Sequence, residues 1–201
     1  MKPLIWKDRK KRGAWTRDDL MCRYHDKEWG MPVFDDRKQF EFLVLESAQA
    51  GLSWAIILKK RENYRKAFAG FDPKKIVKFG PADVHRLMND AGIVRNRLKI
   101  EAAIHNARLF LEIQKEYGRF SDYIWRFTEG VPKVNRWKTL KELPAQTLES
   151  EALSKDMKKR GFKFLGSTVL YSHMQAVGMV NDHVTSCFRY RELKPAKKGK
   201  R

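Results

Sequence analysis

The stretch Leu87-Met88-Asn89-Asp90-Ala91-Gly92-Ile93-Val94-Arg95-Asn96-Arg97-Leu98-Lys99, running on through Ile100 to Tyr117, decides how this chain is built. Its second part repeats apolar residues at three- and four-residue steps (Ile100, Ile104, Ala107, Leu111), the period of a helix with one buried face, and predicts a helix over about 97–117. Its first part ends an earlier helix at Gly92, a residue that takes left-handed dihedrals cheaply and lets the backbone come close to a neighbour. The next helix then opens with free N–H groups and the positive end of its dipole, an arrangement suited to an anion. Arg95, Arg97 and Lys99 follow at once, where a phosphate backbone would pass. The pattern is that of a helix-hairpin-helix, which grips DNA without reading its sequence. A Gly-Ile pair after a helix is also the ordinary signature of a C-cap, so the hairpin by itself leaves both readings open.

Charge favours the nucleic-acid reading. Among 201 residues, 43 Lys and Arg face 24 Asp and Glu, a formal net charge of +19. Each cation placed near a phosphate releases a condensed counterion, so a polyanion is the expected partner. With 42% hydrophobic and 12% aromatic residues the chain can build a core. No apolar run approaches the roughly 20 residues needed to span a bilayer. MKPLIWKDRKKRG carries charge but no apolar segment of the kind an export signal needs, so a cytoplasmic protein is expected. The two cysteines, Cys22 and Cys187, are then expected as free thiols or metal ligands.

Working outward, the pattern stays helical. Asp35-Asp36 can cap a helix carrying Phe40, Leu43, Val44 and Ala48, and another is expected from Ser53 to about Phe68. FDPKKIVKF and GPADVHRLM each place proline in a first helical turn, and further helices fit 150–160 and about 165–179. There is no convincing run of strands and no internal repeat. The expectation is an all-α domain over 14–191, flanked by a basic N-terminal arm (1–13) and a basic C-terminal tail (192–201), both solvated and mobile. A second basic segment runs from Lys158 to Thr168. Gly161 fits a helix end there and Ser167 or Thr168 a cap, and the segment is either an ordinary basic turn or a second phosphate clamp through Lys163, Gly166 and Ser167.

Two stretches are dense in aromatic and ionisable groups: Tyr24-His25-Asp26-Lys27-Glu28-Trp29-Gly30, and Leu45-Glu46-Ser47-Ala48-Gln49-Ala50-Gly51-Leu52-Ser53-Trp54. Glu46 stands inside an apolar helical pattern, and a carboxylate is rarely buried without a partner. It lies either on a wet face or at a site. These stretches occur in unbroken order with Leu58 to Tyr64, Asp90-Ala91-Gly92-Ile93, Lys158 to Gly166 and Val180-Asn181-Asp182-His183-Val184. In that order, from about Trp15 to Cys187, they resemble the 3-methyladenine DNA glycosylase I family, a branch of the helix-hairpin-helix DNA glycosylases.

The resemblance implies an all-α fold with a pocket between helical lobes, and a monomer that flips a damaged nucleotide out of double-stranded DNA and hydrolyses its glycosidic bond. It implies that Glu46 accepts from the exocyclic amine of 3-methyladenine and that Tyr24 and Trp54 sandwich the base. Trp15 and Trp29 would stand nearby, and Gln49 and Leu52 would fill the gap left in the duplex. It positions no lysine for a Schiff base, so no strand cleavage is expected, and it gives Asp182 a structural role. His85, His105 and His173 fit no ligand pattern. The family also joins its termini through a structural zinc. Here His25, His183 and Cys187 match and Gly13 stands where the family has cysteine, so either Cys22, one helical turn before His25, replaces it in a Cys2His2 zinc site or the link has been lost and the histidines make ordinary hydrogen bonds. A DNA-binding helix-hairpin-helix protein without catalysis, or a basic RNA-associated helical protein, would explain the charge but not the order of motifs.

Overall fold

A computed structural model describes residues 4–5 and 8–193. Its helices are α1 (Asp19–Lys27), α2 (Asp36–Gln49), α3 (Trp54–Ala67), α4 (Pro73–Ile76), α5 (Pro81–Asn89), α6 (Arg97–Tyr117), α7 (Phe120–Trp125), α8 (Leu148–Lys159), α9 (Ser167–Ala176) and α10 (Phe188–Glu192). The all-α expectation holds. Strand structure among the described residues is confined to two-residue pairs. β1 (Leu4–Ile5) runs antiparallel to β2 (Lys11–Arg12), and β3 (Lys133–Val134) runs parallel to β4 (Val180–Asn181) with Lys133 opposite Val180. No described helix is long and apolar enough to cross a membrane.

The hub is α2, in which every residue from Gln39 to Ala48 is buried. A helix buried on all sides must be covered on all sides, and α3, α6, α7 and α9 supply the cover. Asp35 caps it by accepting from the Lys38 amide at 2.8 Å. Asp36 then fastens the neighbouring layer, accepting from the Phe120 and Ser121 amides at 2.8 and 2.9 Å, at the start of α7. Two of the polar side chains that α2 buries are fully used. Gln39 donates to the Val33 carbonyl and accepts from His173 Nε2, while Glu41 accepts from Arg61, Arg65 and Lys38. Glu46 has no such partner.

Three expectations need correction. The N-terminal arm is not free as far as it is described: Arg12 is 4% exposed, and its guanidinium grips Asp26 and Asp8 with every contact at or below 3.1 Å. Its planar fork is satisfied by two carboxylates at once, which a mobile arm could not offer. Residues 1–3, 6 and 7 of the arm and 194–201 of the tail lie outside the described residues. Gly92 is not the left-handed cap of α5, whose C-cap is Asp90 in an extended conformation. Glycine is demanded at 92 for space, because a Cβ would stand 2.8 Å from Asp90 Oδ1 and 3.0 Å from Asn63. Lastly, α9 is capped by Gly166 without a side-chain bond. The Ser167 hydroxyl donates instead to Gln146.

Candidate active site

A cavity of about 500 Å³ opens beside the C-terminal half of α2. Tyr24 of α1, Glu46 of α2, Trp54 at the start of α3, and Trp15 and Trp29 from the flanking loops all line it, as does Gln49 at the rim. Tyr24 and Trp54, thirty residues apart, and Glu46 between them meet here because α1 and α2 both pack on α3. The lining is mostly apolar and aromatic with a few convergent polar groups, the usual make-up of a small-molecule site.

Glu46 is the chemical centre of this cavity. It is 5% exposed, and its carboxyl makes no hydrogen bond or ion pair with any described residue. Burial without a cation pushes its pKa up to about 8, so near neutral pH the carboxyl is predominantly protonated. The Tyr24 hydroxyl is likewise raised well above its ordinary range, by burial first and by Glu46 second. A carboxyl kept neutral by an apolar wall regains its charge when a cation enters.

The rings do not stand as a sandwich. Tyr24 and Trp54 touch, with centroids 5.3 Å apart and planes at 47°. That separation falls inside the roughly 4.5–7 Å of rings in direct contact, which leaves no room for a base between them. They make a single wall. Trp15 meets Trp29 edge-on at 5.2 Å, and Trp29 continues to His183 at 4.4 Å, so one aromatic chain runs from the cavity to the histidines.

At the rim, Gln49 donates to the Leu52 carbonyl at 2.7 Å and accepts the Leu52 amide through its own carbonyl at 2.7 Å, closing a tight turn over 49–52. Lys99, expected on a phosphate, turns inward instead. Its ammonium donates to the Ala48 and Ala50 carbonyls at 3.0 and 2.6 Å, and partial burial lowers its pKa. The carbonyls at a helix C-terminus lack intrahelical donors, and Lys99 satisfies two of them. The Gly92 amide is held by Asp90 Oδ1 at 2.7 Å. What the hairpin presents outward is the exposed pair Arg95 and Arg97 at the start of α6. Lys163 is also exposed, its backbone pinned by Asn106 at both N–H and C=O.

Cys187 Sγ lies 3.3 Å from His25 Nε2, and the ligand atoms of His25, His183 and Cys187 all lie within 4.8 Å of one another. His25 turns Nδ1 to Asp26 at 2.8 Å and His183 turns Nδ1 to Asn181 at 3.1 Å, which leaves both Nε2 atoms for the centre. His183 Nε2 is buried without a partner. Cys22 does not join them. Positions three apart on a helix diverge by about 60°, and that offset leaves Cys22 half-buried beside Thr16 while His25 is fully enclosed. Of the other histidines, His173 bonds Gln39 in the core, His105 bonds the Gly161 carbonyl and His85 is exposed.

Sequence reasoning missed several lining residues, among them Leu140 and Leu143 from an irregular strap and Gln175 of α9. The one signal for Gln175 is a lone amide in the otherwise apolar turn Met174-Gln175-Ala176-Val177. Asp182 is fully enclosed and accepts from Asn135, Trp137, Tyr171 and Gln175.

Comparison with known proteins finds relatives across most of the chain. Residues 14–190 match the family model described as methyladenine glycosylase. The chain is 51% identical over 180 residues to DNA-3-methyladenine glycosylase 1 of Escherichia coli (strain K12), covering 90% of this chain and 96% of that one. It is 50% identical over 164 residues to DNA-3-methyladenine glycosylase of Haemophilus influenzae, covering 82% of this chain and 89% of that one. A crystal structure of 3-methyladenine DNA glycosylase I superposes with a TM-score of 0.85 at 50% identity, covering 88% of this chain and 98% of that one. The Staphylococcus aureus enzyme, solved for the structural basis of 3-methyladenine recognition, superposes with a TM-score of 0.84 at 38% identity, covering 90% of this chain and 94% of that one.

Proposed function

The chain belongs to the methyladenine glycosylase family, and we propose that it excises 3-methyladenine from alkylated double-stranded DNA as a monofunctional N-glycosylase. The observation that carries this reading is the unpartnered, buried carboxyl of Glu46 on the wall of an aromatic cavity. An adenine methylated at N3 is cationic while bonded to its sugar. Everted into the cavity, it supplies the positive charge that Glu46 lacks, and Glu46 accepts from its exocyclic amine. The ring faces of the Tyr24–Trp54 wall add roughly 0.5–2 kcal/mol for a cation over an aromatic, which the uncharged parent base does not gain. Water attacks C1′, the C1′–N9 electron pair passes to the base, and the base leaves neutral while the proton of water goes to solvent. Among the described residues no lysine lines the cavity, in keeping with hydrolysis without strand cleavage.

On the DNA side, Gln49 and Leu52 fill the vacated position, and Arg95, Arg97, Lys163 and the N-terminus of α9 at Gly166 and Ser167 meet phosphates. The enzyme acts as a monomer in the cytoplasm. His25, His183 and Cys187 hold one structural zinc ion, which would supply a cross-link between α1 and the segment after β4. The orphaned His183 Nε2 among these donors fits such an ion. Mass spectrometry of the bases released from methylated DNA tests the activity: 3-methyladenine is expected in excess of every other base, and its absence from the released material contradicts the reading.

A further inference from the structure

Gln175 of α9 lines the cavity, and its side-chain amide is held in one orientation. Its Nε2 donates to Asp182 Oδ2 at 2.8 Å. Only the NH2 side of an amide can donate to a carboxylate, so the flip of this side chain is fixed and its Oε1 is the free end. No described residue donates to that oxygen. Asp182 in turn cannot yield, because Oδ1 accepts from Asn135 Nδ2 and Trp137 Nε1 at 2.7 Å each, and Oδ2 also accepts from the Tyr171 hydroxyl. The Gln175 backbone is anchored as well, its carbonyl accepting from the Gly30 amide at 3.1 Å and the Gly178 amide at 3.3 Å.

We infer that Gln175 is a specificity-determining residue, and Asp182 the residue that positions it, for purines bearing a 6-amino group. This rests on the glycosylase reading above. An amide whose NH2 is committed presents a carbonyl acceptor alone. That acceptor takes a hydrogen bond from the exocyclic amine of 3-methyladenine and faces the 6-oxo oxygen of 3-methylguanine acceptor to acceptor. A site built to pair one polar group rejects an analogue that leaves its own polar group unpaired far more strongly than an apolar pocket does. Beside Glu46, the half-buried Gln175 held by Asp182 thus offers the amine a second acceptor and adds no charge of its own to the cavity.

The test uses duplex DNA methylated to carry both 3-methyladenine and 3-methylguanine, with both released bases quantified in one reaction. The ratio is insensitive to the fraction of folded enzyme. Gln175→Met, which keeps the volume and removes the acceptor, and Gln175→Ala are each expected to lower the 3-methyladenine to 3-methylguanine ratio of kcat/KM by about tenfold or more. Asp182→Asn, with Gln175 in place, is expected to lower it in the same direction. An unchanged ratio in both Gln175 variants overturns the assignment while leaving the glycosylase reading intact. Failure of the unaltered protein to release 3-methyladenine would instead overturn that reading.

Discussion

At the residue scale Glu46 sets the chemistry of the cavity. Its pKa is about 8 in the folded chain against an ordinary 4.5, so the folded state keeps a proton that the unfolded state releases above pH 4.5. The stability tied to that proton is complete below about pH 4.5 and is lost as pH rises towards 8, at up to about 1.4 kcal/mol per pH unit. Glu46→Gln resembles the protonated form at every pH. Thermal unfolding is therefore expected to show this variant more stable than the parent at pH 8, with the gap closing towards pH 5. A gap that does not change with pH would show that burial does not raise Glu46. His173, which burial lowers to about 3, acts in the opposite direction, but it is common to both proteins and drops out of the difference. Glu46 was legible in the sequence as a carboxylate inside an apolar pattern. The direct Tyr24–Trp54 contact was not, because the angle between two rings thirty residues apart depends on how α1 packs on α3.

At the scale of elements, α6 shows what periodicity reveals and what it conceals. The three- and four-residue steps of Ile100, Ile104, Ala107 and Leu111 delimit this helix closely, and Asn96 caps it by accepting from the Lys99 amide at 3.1 Å. They do not reveal that Lys99 reaches back some fifty residues to the end of α2. Lys99 and Arg97 look alike in sequence and differ in task. Arg97→Ala and Arg95→Ala are each expected to reduce the salt dependence of duplex binding by about one counterion. Lys99→Met is expected to leave that slope unchanged and to cost about 1–3 kcal/mol of stability by freeing two carbonyls. If Lys99→Met lowers the salt slope as the arginines do, the inward ties do not persist on DNA. The strap carrying Leu140 and Leu143 escaped sequence reading for another reason: its one regular piece, the 3-10 turn Leu140–Glu142, is too short to show a period.

At the scale of the whole molecule, the beginning and end of the described chain close on each other beside the cavity. Arg12 holds Asp26, Asp26 holds His25, and His25 meets Cys187. Sequence motifs named three of these four residues, but charge density alone made Arg12 look like part of a solvated arm. Arg12→Met is expected to cost about 1.5–3 kcal/mol, the worth of hydrogen bonds to charged groups. A melting temperature equal to the parent's would return residues 8–13 to the role of a free arm. Elemental analysis is expected to find close to one zinc per chain, and a chelator to lower the melting temperature of the unaltered protein. A metal-free protein with the same stability would leave the Arg12–Asp26–His25–Cys187 chain as the whole fastening. The central claim remains that a neutral, buried carboxyl is recharged by a cationic base. It is tested most directly by the kcat/KM for 3-methyladenine release across pH 6–9 in the parent and in Glu46→Gln. The parent is expected to rise with a midpoint near the Glu46 value of about 8, and the variant to give a flat profile lower by about 10²-fold or more. Two superimposable profiles would contradict it.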